Sequence, residues 1–135
     1  MFETLTAYEI LFFAGVAVVG PLVIYLATAK KYAENAILAA ALGAGFAAFT
    51  AVTIWAEGIM PVYLNHSTNL WGVQVWYDLL ISVVIALLFV VPRARKQAMN
   101  VPLWVLLVGA TASIGLLAMV ARLFWLEQSN SEASG

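Results

Sequence analysis

The sequence predicts an all-α integral membrane protein built as a four-helix bundle, and two observations lead to this fold class. The first is composition: 64% of the residues are hydrophobic and 10% are charged, whereas soluble domains carry roughly 25% charged residues. The second is the presence of four apolar runs, each long enough for a helix to cross a hydrocarbon core about 30 Å thick. Such runs must be helical in lipid, because an open strand would leave its backbone groups without hydrogen-bond partners.

Polar or proline signals mark the ends of the four predicted spans. Thr6 and Glu9 have the spacing of a capping box before the first span. Pro61 follows the second span, Pro92 closes the third, and Pro102 falls in the first turn of the fourth. We therefore expect one domain with spans at residues 8–29, 36–56, 75–91 and 103–126, followed by a disordered polar tail at residues 127–135.

The basic residues predict the orientation of the bundle, because five of the six lie in two loops on one side. They are Lys30 and Lys31 before the second span, and Arg93, Arg95 and Lys96 after the third. The positive-inside rule places both loops in the cytoplasm. Both termini and the middle loop, residues 57–74, are then expected outside.

Small residues recur at four-residue spacing in the second and fourth predicted spans. Gly43-xxx-Ala47 and Thr111-xxx-Gly115 are two such pairs. Helices associate in lipid where small side chains let their backbones approach closely. We expect these faces to pack inside the bundle, and the alternative is a contact with another subunit.

Four ionisable residues lie near the outer ends of the predicted spans: Glu9, Glu57, Asp78 and Arg122. Charged residues within a span are usually paired or face the bundle interior. Asp78 and Arg122 are therefore predicted to form a structural ion pair. The alternative is that all four residues line an outward-opening ligand-binding pocket under the middle loop. Glu9 also has a structural interpretation, as the acid of the capping box.

His66 belongs to the middle loop and is a further ligand-binding candidate, although a lone loop histidine is more often simply solvated. With one histidine and no cysteine, two-histidine haem ligation and thiolate metal sites are excluded. No Gly-rich phosphate loop, nucleophile elbow or HExxH motif occurs, so no catalytic residue or metal ligand is predicted. The sequence identifies no cofactor and leaves open whether a pigment or lipid is bound. The net charge of −1, without a basic stripe, argues against nucleic-acid binding.

Residues 65–127 resemble a family of small bacterial multispan membrane proteins known only as a domain of unknown function. The likeness rests on Asn65 and Ser67, on the stretch Asp78-Leu-Leu-Ile-Ser82 at the start of a span, on the basic cluster after that span, and on Trp104 and Gly109 in the last span. The resemblance implies a multi-pass protein of the bacterial inner membrane without an assigned activity. It also makes Asp78 the family-like position of most functional interest.

Two functions from different classes remain open. The small size, the small-residue helix faces and the lack of a catalytic motif favour an accessory or assembly subunit of a larger membrane complex. Its partners in the bilayer would be other membrane subunits or further copies of the chain. The shared predicted depth of Glu9, Glu57, Asp78 and Arg122 favours the alternative, a protein that binds or transports a small molecule.

Overall fold

The computed structural model describes residues 6–29 and 35–135, and the regular structure within these residues is entirely helical. The described helices are α1 (Ala7–Thr28), α2 (Ala36–Glu57), α3 (Met60–Ser67), α4 (Leu70–Lys96), α5 (Val101–Thr111) and α6 (Ser113–Ala133). Within this part of the chain α1, α2 and α4 are long and apolar enough to cross a membrane. The all-α class is confirmed, and three of the predicted spans are helices of sufficient length.

The chain divides into two compact units. The described residues of the first unit form the single helix α1, and residues 35–135 form the second unit. The predicted capping box is confirmed at the start of α1. The Glu9 amide donates to the Thr6 hydroxyl at 3.3 Å, and the Thr6 amide donates to the Glu9 carboxylate at 2.8 Å. Lys30 and Lys31, two of the residues used to predict orientation, lie outside the described residues.

The middle segment, expected to be a loop, is largely helical. It contains α3, with a proline in its first turn, and α4 begins at Leu70, before the predicted start of the third span at residue 75. The Asn69 side chain caps α4 by accepting a hydrogen bond from the Gly72 amide at 2.8 Å. Gly72 also lets α3 approach α4 closely, because a Cβ added there would lie 2.1 Å from the Asn65 carbonyl oxygen.

The end of the third span also differs from the prediction, because α4 continues through Pro92 to Lys96. A proline inside a helix removes one backbone hydrogen bond. The last turn of α4 is nevertheless fixed by tertiary contacts. Ala94 is fully buried in the core, and the Arg93 side chain is bonded to α6.

The predicted fourth span is two helices rather than one, which corrects the prediction for residues 103–126. The chain breaks at Ala112, a non-glycine residue with φ 50° and ψ −115°, and α6 folds back beside α5. The Thr111 hydroxyl bridges the break, donating to the Leu107 carbonyl at 2.8 Å and accepting from the Gly115 amide at 2.9 Å. A bundle of four membrane-length helices is therefore not confirmed.

The physical reason for this break lies in the residues around it. The stretch Gly109-Ala-Thr-Ala-Ser-Ile-Gly115 is rich in weak helix formers, so interrupting the helix here costs little local stability. Gly115 allows the fold-back, because a Cβ there would lie 2.8 Å from the Leu107 carbonyl oxygen.

The polar tail is helical as far as Ala133, contrary to the predicted disorder of residues 127–135. A contact with the end of α4 and a bond within the tail hold it. The Asn130 amide donates to the Gln97 side-chain oxygen at 2.5 Å, and the Ser134 hydroxyl donates to the Asn130 carbonyl at 2.6 Å. A polar sequence whose composition predicts disorder thus forms a helix here and makes side-chain hydrogen bonds.

The core of residues 35–135 lies where α4, α5 and α6 meet. Ala94, Val101, Val108 and Met119 are buried against one another there. The helix α2 packs mainly against α6. Gly43 of α2 is buried, and a Cβ added to it would lie 3.2 Å from the Leu117 Cβ. The predicted packing of a small-residue face within the protein is therefore confirmed at Gly43.

We predict that Gly115→Ala destabilises the α5–α6 reversal, because the added Cβ would lie 2.6 Å from the Thr111 hydroxyl oxygen and 2.8 Å from the Leu107 carbonyl oxygen. The expected loss is about 1–3 kcal/mol, the usual range for an overpacked contact, measured as a lower melting temperature by circular dichroism in detergent. Gly109→Ala is the matched control, since the space around its Cβ is open. Equal melting temperatures for the two variants would contradict the close approach of α5 and α6.

Candidate functional site

Asp78 lies on an exposed face of α4. The shallow hollow beside it is lined by its own helix, through Trp71, Gln74, Val75, Tyr77 and Ile81. Its carboxylate forms no hydrogen bond or ion pair with any other residue of the range 35–135. Asp78 is therefore a charged side chain within a membrane-length helix that lacks a described counter-ion.

The predicted ion pair between Asp78 and Arg122 is not formed between these two described side chains, and the fold-back of α6 explains why. The end of α6 lies level with the end of α4, where Glu127 meets Arg93. Asp78 precedes Arg93 by about four helical turns, roughly 22 Å along α4. Arg122 precedes Glu127 by roughly 8 Å along α6. Asp78 and Arg122 therefore lie at different heights along α4, whereas a straight fourth span would place them at similar heights.

The salt bridge observed in the described residues joins Arg93 of α4 to Glu127 of α6. It is a two-point contact: the Arg93 Nε donates to Glu127 Oε1 at 2.9 Å, and a terminal guanidinium nitrogen donates to Oε2 at 2.5 Å. The Arg93 guanidinium also lies 5.4 Å from the centre of the Phe124 ring. Both side chains are partly shielded, with exposures of 38% for Arg93 and 21% for Glu127, so the pair is less screened by water than a fully exposed one.

This pair is not evident from the sequence, because its two residues are 34 positions apart. The sequence predicts that Arg93 lies in a cytoplasmic basic loop and Glu127 in a disordered tail. The one signal that points to their contact is the run of weak helix formers before Gly115, which permits the last apolar stretch to turn back.

The other two acids occupy helix ends. Glu9 is engaged in the capping box of α1, where its carboxylate accepts hydrogen bonds from both the amide and the hydroxyl of Thr6. Glu57 is the last residue of α2 and is exposed, directly before Gly58, which has a φ of 78°. Neither observation indicates that Glu9 or Glu57 binds a ligand. The capping role of Glu9 is the structural role that the sequence predicts.

His66 lies in α3 rather than in a loop, and it is half-buried between α3 and α4. Its Nδ1 lies 2.6 Å from the Val62 carbonyl oxygen, and its ring centre lies 5.6 Å from that of Trp76. The ring borders an open groove of about 900 Å³ whose lining is mostly apolar and comprises Ile59, Met60, Val62, Tyr63, His66, Ser67, Val73 and Trp76. Of the predicted site residues, His66 therefore borders this groove of about 900 Å³, and Asp78 borders a smaller hollow of about 420 Å³.

Metal chemistry has no visible site in the described part of the chain. No group of three or more histidine or acidic side chains comes together within residues 6–29 and 35–135.

Comparisons with protein-family models, with curated proteins and with solved structures found no match to this chain.

We predict that Arg93 and Glu127 stabilise the protein as a coupled pair. Glu127→Gln should lower the free energy of unfolding by about 1 kcal/mol, because it weakens a partly shielded two-point ion pair. A double-mutant cycle with Arg93→Gln should give a coupling energy of about 0.5–1 kcal/mol by thermal unfolding in nanodiscs. Glu132→Gln is the control, since Glu132 is exposed near the end of the same helix. Additive losses in the cycle would contradict the pairing.

Proposed function

We propose that this protein is an accessory or assembly subunit of a larger complex in the bacterial inner membrane. The bacterial setting rests on the sequence resemblance of residues 65–127. The subunit role rests on the first half of α4, which carries Asp78. The protein would use this segment to bind a membrane helix of another subunit.

The observation that carries the proposal is the exposed Asp78 carboxylate without a described counter-ion. A charge at the centre of a bilayer costs about 2.5–3.5 kcal/mol on insertion scales and less towards the interface. Intramembrane charges are therefore almost always paired or hydrogen-bonded. A partner helix that offers a basic side chain or a hydrogen-bond donor at this level would remove that cost.

The packing of α4 supports the same interpretation. Its later half contributes Val83, Leu87, Val90, Val91 and Ala94 to the core formed with α5 and α6. Its first half instead contacts the short helix α3. The face that carries Asp78, Trp71 and Ile81 is exposed, and it therefore offers one continuous surface to a neighbouring helix.

A second candidate function is small-molecule binding or transport. One observation favours it, the mostly apolar groove of about 900 Å³ beside His66. This volume lies in the range of ligand pockets, which are apolar with few polar groups. The groove involves none of the four charged residues that suggested a pocket from the sequence, since its lining comes from residues 59–76.

The test is native mass spectrometry of the natively expressed protein after gentle extraction into nanodiscs, together with an absorption spectrum. The subunit proposal predicts other subunits in fixed ratio. A lone chain or homo-oligomer with a bound small molecule would overturn it and favour the groove beside His66.

We predict that Asp78→Asn releases the co-isolated subunits, with at least a tenfold lower recovery, because the amide keeps the shape of the side chain but removes its charge. The melting temperature of the isolated chain should be unchanged, since Asp78 makes no polar contact within the described residues. Glu132→Gln, which removes an exposed acid from α6, should leave the recovery unaltered. Full recovery of the complex with Asp78→Asn would exclude Asp78 from the interface.

A further inference from the structure

The direction of the chain after α5 decides how many times the protein crosses the membrane. The Ala112 backbone reverses the chain, and the Gly115 amide bonds back to Thr111. At the far end of α6, Glu127 and Asn130 bond to Arg93 and Gln97 at the end of α4. The start of α5 and the end of α6 therefore lie at the same end of α4.

The length of α5 shows that this hairpin does not reach across a bilayer. The helix has 11 residues, which gives a length of about 16 Å against a hydrocarbon core of about 30 Å. The Ala112 turn would lie near the middle of the membrane. We propose that α5 and α6 form a re-entrant hairpin that enters and leaves the membrane on the cytoplasmic side, so that the end of α6 is cytoplasmic.

The positions of the basic residues agree with this arrangement. In the hairpin, Arg122 lies roughly 8 Å from the level of Arg93 and therefore on the same side as Arg95 and Lys96. In a straight fourth span, Arg122 would lie at the opposite side of the membrane. The hairpin thus follows the positive-inside rule more fully than the straight span does.

The turn at Ala112 also has the protein cover that a break inside a membrane needs. Irregular backbone at membrane depth is tolerated where protein buries it. Gly43 of α2 lies against this part of α6: its added Cβ would be 3.2 Å from the Leu117 Cβ and 4.0 Å from the Ile114 carbonyl oxygen. The side chain of Thr111 bonds to backbone groups on both sides of the break.

The chain has no cysteine, so single cysteines can report the side on which each segment lies. The variants Ser67→Cys in α3, Ala98→Cys between α4 and α5, and Ser134→Cys after α6 place exposed thiols at three informative positions. We expect a membrane-impermeant maleimide to label the first variant in intact cells and the other two only after permeabilisation. Labelling of Ser134→Cys from outside, as for Ser67→Cys, would overturn the re-entrant hairpin.

Thiol crosslinking gives a second and independent readout. The double variant Gln97→Cys with Asn130→Cys should be crosslinked by a short bis-maleimide reagent, because the native side chains are in hydrogen-bond contact in the hairpin. In a straight span the two positions would be more than about 40 Å apart. The control pair Asp78→Cys with Asn130→Cys should not crosslink. Absence of the first crosslink in a protein that keeps its helical circular dichroism spectrum would also overturn the proposal.

Discussion

The reversal of the chain at Ala112 is the constraint on which the packing of residues 35–135 depends. It brings Val108 of α5 and Met119 of α6 into one core with Ala94 of α4. It also presents the start of α6 to Gly43 of α2. Because the Ala112 backbone lies in a φ/ψ region that is sparsely populated for residues with a side chain, at a cost of roughly 1–3 kcal/mol, the reversal persists only through the contacts around it. These include the Thr111 hydroxyl bonds and the close approach that Gly115 permits.

The same reversal separates the charged residues at the end of α4 from Asp78 in its first half. At the end of α4, Arg93 and Glu127 satisfy each other, and Arg122 is carried towards the same end. Asp78, about four turns earlier in α4, is left exposed without a described partner. The ion pair at the end of α4 therefore has a structural explanation within the chain. The exposed Asp78 carboxylate has no such explanation within residues 35–135.

A second close approach shapes the opposite end of α4. Gly72 allows the backbone of α3 to lie against α4, and this contact sets His66 beside Trp76 and opens the groove bordered by α3. The groove and the face that carries Asp78 belong to the same short segment, residues 59–81. A ligand in the groove and a partner helix at Asp78 would therefore act on one structural element.

The sequence by itself determined the features that depend on local chemistry: the all-α class, the helices α1, α2 and α4, and the capping box of Thr6 and Glu9. Run length and capping are decided within a few turns, so composition and spacing suffice to predict them. Only the tertiary structure decided the reversal at Ala112 and the pairing of Arg93 with Glu127, which are 34 residues apart. Neither glycine nor proline stands at the reversal. Its stability comes from contacts with Leu107 and from the packing against α2, and these do not exist until the helices have come together.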